Sequence, residues 1–333
     1  FSIKSILILE PTGVITFKRR ELHSQHHPKW SQSTKTLAQL CVTASDKIED
    51  IDGCLQVDFA IDLCKCLRER EISVIVKQIK LGGGVLLVGC VQEEIRFVLC
   101  PEMLVSLLIC EMMTDNECIF LIGCERYSTY KGYGSTFQFA GDFGDNSPKS
   151  CCSMNMSTLK TRIVFFCFFR RDNWGRKASH LVAIDALFFR QQSEQFYMKP
   201  INRELIKAYT GFANGLQPNG GCTFPVASGN WGCGAFNGDR QLKGLKKTIE
   251  TLFDNNAFLF IAIIQLIAAS EAGRPLVYAA FGDRKLAQSL TNVYNHLTSK
   301  RTTVKDLYRC LSRYTKNSAN TSLFDFILQF KSS

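Results

Sequence analysis

Three short runs in this chain are almost unbroken in apolar, β-branched or aromatic side chains: residues 118–123 (CIFLIG), 181–187 (LVAIDAL) and 276–281 (LVYAAF). A strand with one wet face alternates apolar and polar residues, whereas a run that is apolar on both faces belongs in a sheet covered on both sides. Helical periodicity fills residues 93–113, 202–212, 283–297 and 304–314, and the first of these opens with acids, as suits a helix N-terminus. Strands alternating with helices predict an α/β domain built on a mixed, mostly buried sheet. The longest apolar run, 257–269, contains Gln265 and is shorter than the roughly 20 residues of a membrane span, so it is read as a buried helix. No internal repeat is found.

Composition narrows the class. With 333 residues, 46% hydrophobic and 21% charged, the chain can bury a large core, and disordered or collagenous classes are excluded. The 15 cysteines and the formal charge of +10 are the unusual values. The cysteines fall mostly alone, no C-x-x-C occurs and the histidines lack zinc-ligand spacing, so free thiols in a reducing compartment are expected and a metal is not. The basic residues are scattered, clustering only at Lys18-Arg19-Arg20 and Arg170-Arg171. Charge alone therefore does not choose between nucleic acid, lipid and another polyanion. Residues 1–10 lack a cleavage pattern and an initiator Met, so the chain is read as a fragment.

Two glycine-rich loops hold most of the information. One is Gly82-Gly83-Gly84, separated by residues 85–91 from Gln92-Glu93-Glu94. The other runs through Asn230, Trp231, Gly232, Cys233, Gly234, Ala235 and Phe236 to Asn237-Gly238-Asp239. Glycine lets a backbone approach a phosphate and turn N–H groups toward it, so two such loops could grip one diphosphate from opposite sides. Either loop alone reads equally well as a tight turn. Neither is a P-loop, and neither is a G-x-G-x-x-G opening a βαβ unit. A Glu-Glu pair on a helix is ordinarily a solvated face. Here it follows an apolar run and precedes Ile95 and Phe97, so burial and the neighbouring like charge are expected to raise one carboxyl's pKa. A carboxylic acid kept protonated beside a phosphate cradle can donate a proton to a glycosidic leaving group.

Together and in order, these motifs resemble the poly(ADP-ribose) glycohydrolase family. The signature reads GGGVLLVGCVQEE here, and PTGVITF, LQVDFA, YSTYKGY, VAIDAL, GNWGCGAFNGD and FGD also match, from about residue 11 to about 315. The resemblance implies a macrodomain-like mixed sheet flanked by helices, with additional helices at the C-terminal side, and hydrolysis of ribose–ribose bonds in poly(ADP-ribose). By the same resemblance Glu94 matches the catalytic acid/base, Glu93 the residue that holds the terminal ribose, and Asp58 a further required acid. Gln92 would lie beside the substrate. Gly83 and Gly84, Tyr133, the loop from Asn230 to Phe236, and Phe281 match residues contacting phosphates, ribose and adenine. Ile48 and Glu49 resemble the adenine-recognition pair, one residue closer to Asp58 than the family pattern.

Adjacent residues have Cα atoms about 3.8 Å apart. Opposed glycosidase carboxylates stand roughly 5–10 Å apart, so a division of labour between Glu93 and Glu94 is expected rather than an acid facing a base. The implied partner is poly(ADP-ribose) on modified proteins, with no cofactor, no direct nucleic-acid contact, no membrane and a monomeric state. The implied setting is the DNA damage response in nucleus and cytoplasm.

The domain reading is a remnant of an N-terminal accessory region at 1–45 and a catalytic domain at 46–333. Three stretches depart from the family, at about 61–80, 149–170 and 246–263, and the Asn expected after Ala60 is absent. All three are poor in Gly and Pro and rich in apolar residues or cysteine, unlike surface loops. They are read as retained introns or errors of gene prediction, with lineage-specific insertion as the alternative.

Overall fold

The structure, a computed structural model, describes residues 13–60, 90–144, 174–189, 192–213, 224–233, 250–317 and 322–330. Nine strands are described: β1 (Thr16–Glu21), β2 (Leu40–Thr43), β3 (Leu55–Ala60), β4 (Glu117–Ile122), β5 (Ser128–Lys131), β6 (Gln138–Asp142), β7 (His180–Asp185), β8 (Val226–Gly229) and β9 (Leu276–Ala279). Seven form one sheet in the order β1-β4-β7-β3-β8-β9-β2, while β5 and β6 form a separate hairpin. From β7 through β2 the strands run parallel, and β1 and β4 add an antiparallel flank. The expected mixed sheet is thus present.

The apolar runs are used as the two-sided argument requires. All of β4 is buried. Its residues Cys118, Phe120 and Ile122 join one core layer, while Ile119 and Leu121 join the layer on the opposite face. Helix α1 (Gln92–Leu99) covers the second face through Ile95 and Leu99. The first face is covered by α2 (Met198–Phe212) and α3 (Glu250–Ala272). Helices α4 (Arg284–Ser299), α5 (Val304–Asn317) and α6 (Leu323–Gln329) add the C-terminal layer.

One helix is shorter than its periodicity predicts. The pattern over 93–113 breaks at Cys100, where α1 ends, and continues as a 3-10 turn at Pro101–Val105 and a single helical turn at Ser106–Ile109. Pro101 is the cause: its ring disfavours the helical conformation at Cys100, which sits at φ −128° and ψ 73°.

The apolar run at 257–269 lies within α3, and its one amide ties the helix to the sheet. Gln265 Nε2 donates to the carbonyl of Gly229 at 2.9 Å, tying the buried helix to the end of β8. The described part of the third divergent stretch lies in α3 as well, where Leu259, Phe260, Ala262 and Ile263 pack into the main core. The first two stretches lie outside the described residues, as does the triple glycine. No described helix is long and apolar enough to cross a membrane.

Candidate active site

Parallel strands present their carboxyl ends on one edge of the sheet, where the chain leaves each strand and a crevice can form. A cleft of about 210 Å³ opens there. Phe59 and Ala60 line it from the end of β3, Ala186 from just past β7, Asn230 to Cys233 from past β8, Ala279 from the end of β9 and Phe281 from just beyond it. Val91, Gln92 and Ile95 contribute from the start of α1. Ile48 and Glu49 line it from a 3-10 turn (Ile48–Asp50), and Tyr130 and Tyr133 from the β5–β6 hairpin.

Tyr133 and Phe281, far apart in sequence, meet edge-to-face at the cleft with ring centroids 5.2 Å apart. Each depends on unusual backbone. Gly132 has φ +75°, and a Cβ there would overlap the carbonyl of Thr136, so the tyrosine loop needs glycine. Phe281 itself adopts φ +53°, a left-handed conformation that costs a non-glycine residue on the order of 1 kcal/mol. A two-way backbone bridge between Cys90 and Gly134 fastens the tyrosine loop to the entry of α1.

The loop after β8 is equally constrained. Trp231 is fully buried and its indole donates to the carbonyl of Ile184 at 3.2 Å. Tyr278 on β9 donates to Asn230 Oδ1 at 2.9 Å. Gly232 has φ +75°, and a Cβ would stand 2.8 Å from that of Ala186. Burial pushes the Cys233 thiol well up, so it stays protonated and packs as an apolar group. Gly234, Ala235 and Phe236 lie outside the described residues, as do Gly83 and Gly84.

The three acids singled out in the sequence are brought together but sit behind the cleft lining rather than on it. Asp58, Glu93 and Glu94 are all buried, and none is among the lining side chains. Glu94 turns back at the start of α1, where Oε2 accepts from the Val91 N–H at 2.8 Å. Gln92, two residues earlier, clamps α1 to β3: its Oε1 accepts from the Phe59 N–H at 2.7 Å and its Nε2 donates to the Val57 carbonyl at 3.4 Å. That clamp brackets Asp58, which lies between the two residues it holds. The Asp58 carboxyl is pushed up. Burial raises its pKa to about 7, Arg96 opposes the rise and Glu94 adds to it. Neither Asp58 oxygen has a hydrogen-bond partner among the described residues.

The sequence reading missed Tyr130, Arg96 and Arg126. Tyr130 donates to Glu49, and burial followed by the Glu49 charge pushes its phenol well up. It stood in the quoted YSTYKGY motif, three residues from Tyr133. Arg96 is a buried cation on the same helix as the glutamates, three residues past Glu93 and so on its face. Among the described residues no cluster of His, Cys, Asp and Glu has the arrangement of a metal site.

A mixed sheet with helices on both faces and a cleft outside its parallel carboxyl ends makes this an α/β protein of the macro-domain class. The family described as poly(ADP-ribose) glycohydrolase, macro domain fold, matches residues 27–288, and the chain belongs to that family. Poly(ADP-ribose) glycohydrolase 1 of Caenorhabditis elegans is 33% identical over 309 residues, covering 91% of this chain and 33% of that protein. Poly(ADP-ribose) glycohydrolase 2 of the same organism is 33% identical over 285 residues, covering 84% and 48%. Poly(ADP-ribose) glycohydrolase 1 of Arabidopsis thaliana is 29% identical over 353 residues, covering 91% and 57%. The chain therefore spans between a third and three-fifths of the length of these relatives.

Proposed function

We propose that this chain hydrolyses ribose–ribose O-glycosidic bonds in poly(ADP-ribose) attached to proteins, releasing ADP-ribose. The observation that carries the reading is the cluster of buried acids at the start of α1 and the end of β3, directly behind an aromatic-flanked cleft. In this reading the nucleoside end of the ligand lies against Ile48, Glu49, Tyr133 and Phe281, and the terminal ribose reaches Glu93. Glu94 protonates the departing ribose oxygen as positive charge develops on the anomeric carbon. Once that ribose has left, the Glu94 carboxylate takes a proton from the attacking water, which bonds to the anomeric carbon and restores the acid. The Val91 N–H holds one Glu94 oxygen, limiting the side chain's freedom before either transfer.

Incubation with automodified poly(ADP-ribose) tests this. Release of ADP-ribose is expected, and Glu94→Gln is expected to reduce it by about 10²–10⁴-fold with ADP-ribose binding retained. No release by the unsubstituted chain would sink the hydrolase reading.

A second reading, an ADP-ribose binder without turnover, draws on one observation: Asp58, Glu93 and Glu94 are absent from the described lining. Binding without release is its signature in the same assay.

A further inference from the structure

Arg126 touches several pieces of the cleft's outer wall without lining the cleft itself. It stands in the link between β4 and β5, with its side chain 12% exposed. Nη1 donates to the Asp50 carboxylate at 2.7 Å and to the backbone carbonyl of Glu49 at 3.1 Å. Nε donates to the carbonyl of Ser128, the first residue of β5, at 3.1 Å. The guanidinium also lies 4.4 Å from the ring centre of Phe143, which directly follows β6. One planar group thus joins the Ile48–Asp50 turn to both strands of the hairpin that carries Tyr133.

Two further stitches run in parallel. Lys47 donates to the Tyr130 carbonyl at 3.1 Å and sits 3.6 Å from that ring's centre, and the Tyr130 phenol donates to Glu49. Of the three, only Arg126 engages the turn's backbone, the start of β5 and the residue after β6 together. A guanidinium can do this because its N–H groups are fixed in a fork while its face stays free to stack. A lysine ammonium offers neither the fork nor the face.

We propose that Arg126 is a positioning residue for the nucleoside end of the ligand. It locks the Ile48–Asp50 turn onto the β5–β6 hairpin, so that Glu49 and Tyr133 form one wall before the ligand arrives. The proposal rests on reading the cleft as an ADP-ribose site. Without the fork, binding itself has to order the turn against the hairpin, and affinity falls by that cost. The acids at β3 and α1 keep their own clamp through Gln92, so the chemical step is left nearly unchanged. Glu49 is buried, and its Oε1 has no hydrogen-bond partner among the described residues. It is suited to accept from an exocyclic amino group and to reject a carbonyl at that position.

The test compares the unsubstituted chain, Arg126→Met and Arg126→Lys by calorimetric titration with ADP-ribose and with inosine diphosphate ribose. Turnover of poly(ADP-ribose) is measured alongside. Arg126→Met is expected to bind ADP-ribose about tenfold more weakly and to lose most of its preference over the inosine analogue. Its kcat is expected to stay within about twofold while KM rises, a split that general destabilisation does not produce. Arg126→Lys is expected to recover less than half of the lost affinity, and it carries the test if Arg126→Met does not fold. Unchanged affinity and preference in the variants, or a fall in kcat at constant KM, would overturn the role of Arg126 alone. Failure of the unsubstituted chain to bind ADP-ribose would overturn the site reading and the Arg126 role with it.

Discussion

The chain buries two clusters of charge at neighbouring strand ends and treats them in opposite ways. Behind β7, Asp185 meets Arg203 and also Lys207 at 2.7 Å, while Glu204 meets Arg203 at 3.0 Å and accepts from the Leu187 N–H. Lys207, fully buried, also donates to the carbonyls of Thr114 and Glu117. Burial works against the charge on Arg203, yet Asp185, Glu204 and Asp115 outweigh it and its pKa is raised. Burial also lifts the Glu204 carboxyl, with Arg203 and the Leu187 N–H opposing the rise. Behind β3, by contrast, Asp58 has no hydrogen bond among the described residues, and desolvation brings it to about 7. A buried charge left under-compensated is costly, and such groups gather where chemistry uses them. The paired network holds a loop in shape; the unpaired carboxyl is poised to gain or lose a proton near neutrality.

That contrast can be broken at its structural end first. Lys207→Met leaves part of the carboxylate cluster uncompensated and is expected to cost about 3–5 kcal/mol, read as a lower urea midpoint. A loss under about 1 kcal/mol would mean that the network is not structural.

Asp58→Asn is expected to act with the opposite sign. Burial raises the folded-state pKa of Asp58 to about 7 from the ordinary 3.8 of an exposed aspartate, so between these values the folded chain holds a proton that the unfolded chain has released. The contribution is fully present below about pH 4 and lost as pH rises through 7, a penalty of up to about 4 kcal/mol at pH 8. Removing the charge should therefore stabilise the fold by roughly 2–4 kcal/mol at pH 8 and by almost nothing near pH 4. A pH-independent shift would show that Asp58 is compensated after all.

The smallest effect tests where the two regions meet, since Gly232 in the cleft loop abuts Ala186, the residue after Asp185. Gly232→Ala combines a left-handed φ with a contact at 2.8 Å, and a loss of about 1–3 kcal/mol is expected. ADP-ribose affinity should fall with it. Wild-type stability and affinity together would show that the loop can shift away.

Much of this was legible in the chain. The runs at 118–123, 181–187 and 276–281 became β4, β7 and β9 because strands covered on both faces carry no polar alternation to hide them. Tyr133, Phe281, Ile48, Glu49, Gln92 and the residues Asn230 to Cys233, singled out from separate motifs, line one cleft. Less legible was the work each does. Gln92 lines the cleft, and only the fold shows that its amide also clamps β3. Arg126 and Lys207 looked like scattered surface charge, because pairing partners 76 and 90 residues away leave no local pattern.

Covalent order and side-chain chemistry were enough to specify an α/β sheet and the glycine-dependent turns, since apolar periodicity and glycine's lack of a Cβ act within a few residues. Which acid is desolvated and which cation is paired was decided only by the folded chain. Burial and charge pairing act through space between segments far apart in sequence, and no spacing along the chain encodes them.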